Sequence, residues 1–429
     1  MLCGVLSGSC LASDESPENW SAHFQSTYIW QNKPSFRSPY SGSSSLAGEK
    51  ETAYTFSATA FLGMRPWTGA EFYVNPEVAR GHPMSGVVGL GGITNGEAQK
   101  GGSPKFRTYR ARAFLRQTWD EGEEREAVES GPNQLAGSVA KQRWVVTAGN
   151  LAASDLFDAN AYSHDPRTQF LNWSLMSHGA YDVAADARGY SWGLALEWFH
   201  DDWALRAGRF AEPKQPNQQA LDTQLGIHFG DQIEIEHGHE WAGQRGKLRV
   251  LLFRDRARMA RYQDALDQAQ TNGGTPDLNT VRTGDHSKYG AGLSLEQSMS
   301  STVAAFARWS WADGRSETYS FAEIDRSLSA GILAQGGTWG RPTDKIGVAF
   351  VRNELSAVHR AYLTAGGYGF FVGDGRLNYR PEAIFESFYS LNVGRATALT
   401  LDWQYIANPA YNADRGPVRV TSLRLHADF

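Results

Sequence analysis

The chain has 429 residues, of which 41% are hydrophobic and 20% are charged, and its formal net charge is −5. A mildly acidic chain argues against a nucleic-acid-binding protein, which needs a concentrated basic surface. The sequence has no run that approaches the roughly 18 consecutive apolar residues of a spanning helix, so a helical membrane protein is excluded.

The first twelve residues differ in character from the rest of the chain. They are apolar and rich in small residues, they contain both cysteines, Cys3 and Cys10, and Cys10-Leu11-Ala12 fits a small-x-small cleavage site. Because no basic segment precedes them, we interpret residues 1–12 as the remaining part of a secretory signal peptide. A lipoprotein modification of Cys10 is the weaker alternative, since Ser7 stands where a leucine is usual. Residues 13–429 would then form one mature domain.

Strand patterns recur along that domain, with hydrophobic residues at alternate positions. The last one is the clearest: Leu423, Leu425 and Phe429 share one face of a strand, opposite Arg424 and His426. The predicted strands span residues 24–32, 53–63, 69–76, 106–118, 139–148, 189–198, 202–209, 231–241, 246–255, 287–297, 301–311, 327–337, 344–352, 382–393, 397–406 and 417–429.

The connections between these strands alternate between short turns and long loops. An even number of strands, this alternation and aromatic residues near strand ends are typical of outer-membrane barrels. A C-terminal aromatic residue such as Phe429 is also usual there. We therefore predict an all-β fold, a transmembrane antiparallel β-barrel of about 16 strands with long extracellular loops, one of them folded into the lumen. The acidic stretch Asp120–Pro132 is long where a short turn is expected, and the sequence offers no reason for it.

Alternation also predicts which charged side chains face the lumen. A charge facing lipid at the bilayer centre costs roughly 2–4 kcal/mol, so charged residues should point inward. In the fourth strand, Tyr109 and Ala111 are then expected to face outward. The expected lumen charges are a basic ladder of Arg110, Arg112, Arg116 and Arg143 opposite the acidic residues Glu197, Glu234 and Glu236. A water-filled channel would solvate these charges, and ion pairs that brace the wall are the alternative.

The long loop after the fifth strand carries groups that suit sugars. Planar hydrogen-bonding groups bind sugar hydroxyls, and aromatic rings pack against the C–H faces of the sugar ring. The candidate residues are Asp155, Phe157, Asp158, Arg167, Phe170, Asn172 and Trp173. Packing of the same side chains against the barrel wall is the alternative interpretation.

Three other patterns carry less weight. Ser191 lies in a G-x-S-x-G match, but the surrounding residues continue as a strand and not as a strand–turn–helix elbow. His237 and His239 could suit a metal, yet they share the outward face with isoleucines, so an interfacial position is favoured and no metal is expected. Residues 254–269 have helical spacing and predict a short helix with a solvated face on a loop.

Several segments resemble the carbohydrate-selective porins of Gram-negative outer membranes, the OprB type, from about residue 50 to the end. The segments that carry this resemblance are 408–418 (Asn-Pro-Ala-Tyr-Asn-Ala-Asp-Arg-Gly-Pro-Val), 424–426, 230–234, 246–249, 157–160, 165–170 and 184–190. The resemblance implies a sixteen-stranded barrel that passes glucose and similar sugars, with arginines and a folded-in loop at its constriction.

The sequence thus predicts an outer-membrane channel for passive, sugar-preferring diffusion, with no enzymatic activity and no cofactor. Its expected partners are small sugars, outer-membrane lipid and lipopolysaccharide, and the barrel-assembly machinery, which would engage the strand that ends at Phe429; no nucleic acid is expected. The alternatives are a general or anion-leaning porin, a polysaccharide exporter and, from a different class, an outer-membrane hydrolase that uses Ser191.

Overall fold

The computed structural model describes residues 17–429, and within them sixteen strands close into a barrel. The strands, including a small separate hairpin of β5 and β6, are β1 (Trp20–Lys33), β2 (Glu51–Met64), β3 (Ala70–His82), β4 (Arg107–Asp120), β5 (Arg125–Val128), β6 (Gly137–Ala140), β7 (Arg143–Leu151), β8 (Ser191–His200), β9 (Trp203–Ala211), β10 (Phe229–Trp241), β11 (Gln244–Ala257), β12 (His286–Ser298), β13 (Val303–Ala312), β14 (Arg326–Gly336), β15 (Arg341–Glu354), β16 (Glu382–Val393), β17 (Thr397–Ala407) and β18 (Val418–Asp428). Neighbouring strands pair antiparallel, and β1 pairs with β18 to close the ring. The segment 1–12, interpreted as a signal peptide, lies outside the described residues.

The barrel wall is apolar outside and polar inside. In β17, the outward Leu401 is 53% exposed whereas its inward neighbour Asp402 is fully buried. Exposed aromatic residues ring the end that carries the short turns: Trp20, Trp67, Trp203, Trp241 and Phe429. A lipid-facing wall with interfacial aromatic girdles has this arrangement. Among the described residues, no helix is long and apolar enough to span a membrane.

Each of the sixteen predicted strands is present, so the predicted fold class is confirmed. Both ends of the described chain lie at the end with short turns, which is the periplasmic end in outer-membrane barrels. The largest boundary difference is in β3, which continues past Pro76 to His82. The connection between β4 and β7, residues 121–142, is the one long connection of the described residues at the periplasmic end, and it contains the β5–β6 hairpin.

A bulge explains how β3 passes through its proline. Asn75 pairs with Arg112 and Pro76 pairs with Arg110, so Ala111 has no partner. Proline cannot donate a hydrogen bond to the neighbouring strand, and an extra residue in that strand relieves the mismatch. The extra residue reverses the alternation in the first part of β4. Tyr109 therefore faces inward and Arg110 faces outward, and Ala111 is buried against Ala152 and Tyr190, so the predictions for these three residues of β4 are wrong.

Short helices lie in the loops: α1 (Trp173–Met176), α2 (Tyr262–Asn272), α3 (Leu278–Val281) and α4 (Ala357–Thr364). The helix predicted over 254–269 starts later than expected, because residues 254–257 still belong to β11. It is not simply a solvated helix either, since Tyr262 is buried and its ring lies 5.2 Å from that of Tyr362 in α4.

Candidate functional site

The long loop at residues 152–190, which we call the folded-in loop, lies inside the barrel. Wall carboxylates accept hydrogen bonds from its backbone: the N–H of Asp158 donates to Glu234 over 2.8 Å, and the N–H of Asn172 donates to Glu386 over 3.0 Å. The predicted insertion of one loop into the lumen is therefore confirmed. Buried carboxylates are stable only when hydrogen bonds replace their lost hydration, and the loop backbone provides these bonds.

Wall arginines hold the same loop by its carbonyl groups. Arg308 donates to the carbonyl oxygen of Leu175 over 2.7 Å, and Arg424 donates to that of Gln169 over 2.7 Å. Arg308 is only 2% exposed and also pairs with Asp158 over 3.3 Å. Charged residues on β10 to β18 thus anchor the folded-in loop. This agrees with the alternative interpretation in the sequence analysis, that inward charges form ion pairs that brace the wall.

The aromatic residues expected to contact sugars are mostly packed into the wall. Phe170 is fully buried, with its ring centroid 5.7 Å from that of Phe306 and 5.0 Å from that of Phe388. Phe157 is also fully buried and lies edge-on to Phe210. These two rings present no surface to a solute, so the packing alternative describes them correctly.

Asp158, Asn172 and Trp173 have structural contacts as well. The side chain of Asn172 accepts the N–H of Ser174 over 3.0 Å and caps α1, and its amide nitrogen donates to Gln404 over 3.1 Å. Asp158 is buried beside Arg308. Trp173 is partly buried, and its ring lies 5.3 Å from that of Phe321.

The three glutamates expected in the lumen face inward but are covered. Arg206 lies 3.0 Å from Glu197, 3.1 Å from Glu234 and 3.3 Å from Glu236. Arg249 makes a further contact with Glu236 over 2.7 Å, and all five side chains are buried. The cluster therefore links β8, β9, β10 and β11 through ion pairs and does not form an open acidic surface.

Open polar surface is found on the neighbouring part of the lumen wall, around β3, β4, β7 and β8. Arg112 contacts Asp155 of the folded-in loop through two hydrogen bonds of 2.7 and 2.6 Å, and these side chains are 13% and 28% exposed. The guanidinium lies 5.2 Å from the ring of Tyr190. Desolvation alone would raise the pKa of Asp155, but Arg112 more than reverses this and lowers the pKa below its usual value.

Two further arginines continue this surface towards the periplasmic end. Arg116 lies 3.4 Å from Glu71 and 5.6 Å from the ring of Phe114. Arg143 lies 3.0 Å from Glu126 and stacks 4.1 Å from the ring of Phe199. Arg112, Arg116 and Arg143 therefore each have a carboxylate partner and at least one aromatic partner.

Arg167 of the folded-in loop faces this row from the other side. It lies 3.4 Å from Glu77 and 3.3 Å from Glu97, and Lys100 lies 3.2 Å from Glu97. The hydroxyl of Tyr109 donates to Glu77. We call the surface formed by Arg112, Arg116 and Arg143 with their acidic and aromatic partners the arginine corridor. Arg167, which was expected at the constriction, is buried beside it together with Glu77.

Arg110 is not part of the corridor. On the outer surface of the barrel it lies 5.1 Å from the ring of Trp192 and donates to Asn150 over 3.3 Å. The expected inward orientation of Arg110 is thus wrong, because the bulge at Ala111 turns it towards the membrane side.

Sequence reasoning also missed several residues in or beside the corridor, including Tyr109, Tyr190 and Glu77. The signal for Tyr109 is Pro76: a proline within a paired strand indicates a bulge, and a bulge inverts the faces beyond it. No comparable local signal identifies Tyr190, which follows a long loop and meets Arg112 only in the folded barrel.

The residues of the less favoured patterns have ordinary roles. Ser191 is buried, and its hydroxyl donates to the carbonyl oxygen of Ala211 over 2.7 Å. His237 stacks 4.2 Å from Trp203 on the outer face, and His239 contacts Gln297 over 2.9 Å. Over residues 17–429, no group of three or more His, Cys, Asp or Glu side chains is arranged to hold a metal ion.

A closed barrel with a lipid-facing wall, interfacial aromatic residues and a polar corridor defines an outer-membrane porin. The family model described as carbohydrate-selective porin, OprB family, matches residues 45–429. The chain belongs to this family and is a sugar-preferring porin, as the sequence resemblance indicated. The family and the fold point to a channel.

Solved structures agree on the fold. The high-pH structure of Pseudomonas putida OprB superimposes with a TM-score of 0.72 at 14% identity, covering 96% of this chain and 94% of that chain. The low-pH structure of the same protein gives a TM-score of 0.51 at 12% identity, with coverage of 96% and 93%. No curated protein sequence matches this chain.

Proposed function

We propose that small neutral sugars such as glucose cross the outer membrane passively through the arginine corridor, between the folded-in loop and the wall of β3, β4, β7 and β8. The observation that carries this proposal is the two-point contact between Arg112 and Asp155, since it joins the wall to the loop with both side chains still partly exposed. No cofactor takes part, and the concentration gradient drives the flux.

The chemistry of the corridor suits neutral polyols. Arginine and carboxylate pairs provide donors and acceptors for neighbouring hydroxyls, and the partly exposed ring of Phe199 offers a flat apolar surface for sugar C–H groups. Because each arginine is paired with a carboxylate, the corridor favours neither anions nor cations strongly. Its contacts must remain weak, since tight binding would block the pore.

We further propose lipopolysaccharide as a partner of the outer surface and the barrel-assembly machinery as a partner of β18. Arg80 supports the first proposal: it faces outward in β3, 4.7 Å from the ring of Phe106, where a lipid phosphate could pair with it. The exposed terminal residue Phe429 supports the second. Its backbone exchanges hydrogen bonds of 2.8 and 2.9 Å with Phe24, so the terminal strand seals the barrel.

The test compares Arg112→Ala with Arg110→Ala in liposome swelling assays. The wild-type protein should admit glucose faster than a zwitterionic amino acid of similar size. Arg112→Ala should lower this preference about twofold or more and speed the entry of a disaccharide, because the wall and the loop separate. Arg110→Ala is the matched control on the same strand and should behave like the wild type.

Each other outcome points to a different function. Wild-type rates ordered by size alone would indicate a general porin, and an ion preference in reversal-potential measurements would indicate an anion-leaning one. If the folded protein gave no swelling, the polysaccharide exporter and the hydrolase would return as candidates. Equal effects of the two substitutions would remove Arg112 from the corridor.

A further inference from the structure

The connection between β4 and β7, residues 121–142, folds back into the barrel; we call it the periplasmic hairpin. Its strands β5 and β6 stand at the barrel mouth, and its tip, residues 129–136, contacts inward side chains. The amide of Asn75 donates to the side-chain oxygen of Asn133 over 2.8 Å, and the hydroxyl of Tyr73 accepts the N–H of Leu135 over 3.1 Å. Leu135 is buried. The tip therefore lies inside the lumen.

The depth of the tip follows from strand register. Asn75, the partner of Asn133, is paired across the sheet with Arg112. The side chain of Asn133 thus lies next to the level at which Arg112 meets the folded-in loop. At the other edge of the tip, Ser130 contacts the ring of His23 on β1 over 3.0 Å. The tip extends across the inner face of β1 to β4, on the periplasmic side of Arg112.

The hairpin also holds the lower arginines of the corridor. Arg116 donates to the backbone carbonyl oxygen of Asn133 over 3.2 Å. Arg143 pairs with Glu126 of β5 over 3.0 Å and donates to the carbonyl oxygen of Ala140 over 2.7 Å. The acidic stretch for which the sequence offered no reason thus supplies Glu126 as a partner for Arg143, and Asn133, the residue directly after it, binds Arg116.

Backbone geometry shows that the tip is a defined structure. Asn133 has a φ of 59°, a left-handed conformation that asparagine tolerates better than most residues. Glu18, which precedes β1, accepts hydrogen bonds of 2.8 Å from both the hydroxyl of Ser130 and the N–H of Ala136. β1 closes the barrel by pairing with β18. The tip is therefore hydrogen-bonded both next to this closure, through Glu18, and to β4, through Arg116.

We propose that the periplasmic hairpin is a second, exit-side constriction of the pore, and that its tip determines specificity by narrowing the path of the sugar and by positioning Arg116 and Arg143. This inference deepens the function proposed above, on which its sugar specificity rests. The amide groups of Asn133 and Gln134 would meet the hydroxyls of a sugar after it passes Arg112, so the substrate class is again a neutral polyol.

The first test labels single cysteines in planar bilayers. Cys3 and Cys10 are replaced by serine, and Ser130→Cys is compared with Glu124→Cys, whose side chain is 71% exposed at the base of the hairpin. A bulky thiol reagent is added from the periplasmic side. It should lower the single-channel conductance of Ser130→Cys about twofold or more and leave that of Glu124→Cys unchanged, because only the first position lies in the path.

Complete labelling of Ser130→Cys without any change in conductance would overturn the proposal. The readout is ion current, so it does not depend on sugar preference. If the wild type showed no preference for sugars and the label still reduced the current, the hairpin would remain a constriction while the function proposed above would fail.

The second test is Asn133→Gly, which removes the side chain at a position whose backbone glycine adopts without strain. The variant should pass a disaccharide faster relative to glucose, by about twofold, because the exit widens. The ratio should stay at the wild-type value in Glu124→Gly. An unchanged ratio in a folded Asn133→Gly protein would exclude a role of the tip in specificity.

Discussion

The two sides of the lumen use the same residue types for different purposes. On the side of β10 to β18, charges such as Arg308 and Glu386 are buried and bind the backbone of the folded-in loop. On the side of β3, β4, β7 and β8, Arg112 and Arg116 remain partly exposed and pair with side chains. One side anchors the loop, and the other forms the surface that we propose a solute meets.

The comparison shows that an inward-facing charged residue of a porin does not necessarily line the open pore. A buried charge needs a full set of hydrogen bonds, and a folded-in loop can supply them through its backbone. A partly exposed pair keeps some of its hydration and can exchange water for the hydroxyls of a sugar. What a loop covers therefore decides the role of the residue beneath it.

The largest expected effect comes from removing an arginine on the side that anchors the folded-in loop. Arg308→Ala leaves Asp158 and the carbonyl group of Leu175 without their buried partner. The free energy of unfolding should fall by about 3–5 kcal/mol, and the conductance should rise as the folded-in loop loosens. Urea unfolding in liposomes measures the first quantity. Arg209→Ala, which removes an exposed pair with Asp231, should cost less than about 1 kcal/mol. Equal losses of unfolding free energy in Arg308→Ala and Arg209→Ala would contradict the distinction between buried anchoring charges and exposed pairs.

A smaller effect concerns the extracellular loops, where carboxylates again hold loop segments. His359 of α4 lies 3.0 Å from Asp325 and 3.5 Å from Glu323. Burial alone would lower the pKa of His359, but these carboxylates raise it to about 9 from the ordinary 6.5. Because the folded-state pKa is raised, the stabilisation is complete below pH 6.5 and is lost as the pH rises through about 9.

The measurement is the melting temperature of wild type and His359→Gln between pH 6 and 10. The wild type should lose up to about 3 kcal/mol of stability over this range relative to the variant. The sugar preference should not change, since this cluster lies away from the corridor. Parallel pH profiles of the two proteins would show that His359 does not bind its proton more tightly in the folded state.

The smallest expected effect comes from Tyr109, on the partly exposed side of the lumen. The ring of Tyr109 lies 4.2 Å from the guanidinium of Arg188, and its hydroxyl binds Glu77. Tyr109→Ala should weaken the block of ion current by glucose about fivefold, which corresponds to about 1 kcal/mol. The outward Tyr289, which stacks 5.8 Å from Arg254, is the matched control, and Tyr289→Ala should leave the block unchanged. A wild-type response in Tyr109→Ala would remove this ring from the sugar path.

The barrel follows from the sequence pattern alone. Alternation in segments such as Leu399–Tyr405 predicts a two-faced strand, because a side-chain period of two and a lipid exterior leave no other arrangement for Asp402. The same rule placed Arg112, Arg116 and Arg143 on the inner face correctly. It failed at Arg110, where the bulge beside Pro76 interrupts the period.

Which inward residues remain exposed to the lumen depends on the packing of loops that are distant in sequence. Glu234 and Glu71 are both inward glutamates, yet a loop that is distant in sequence covers Glu234 and leaves Glu71 partly exposed. The periplasmic hairpin is a similar case, because Asn133 meets Asn75 only when the hairpin packs against the inner face of β3. Contacts of this kind depend on where long loops pack in three dimensions, and local periodicity carries no information about that packing.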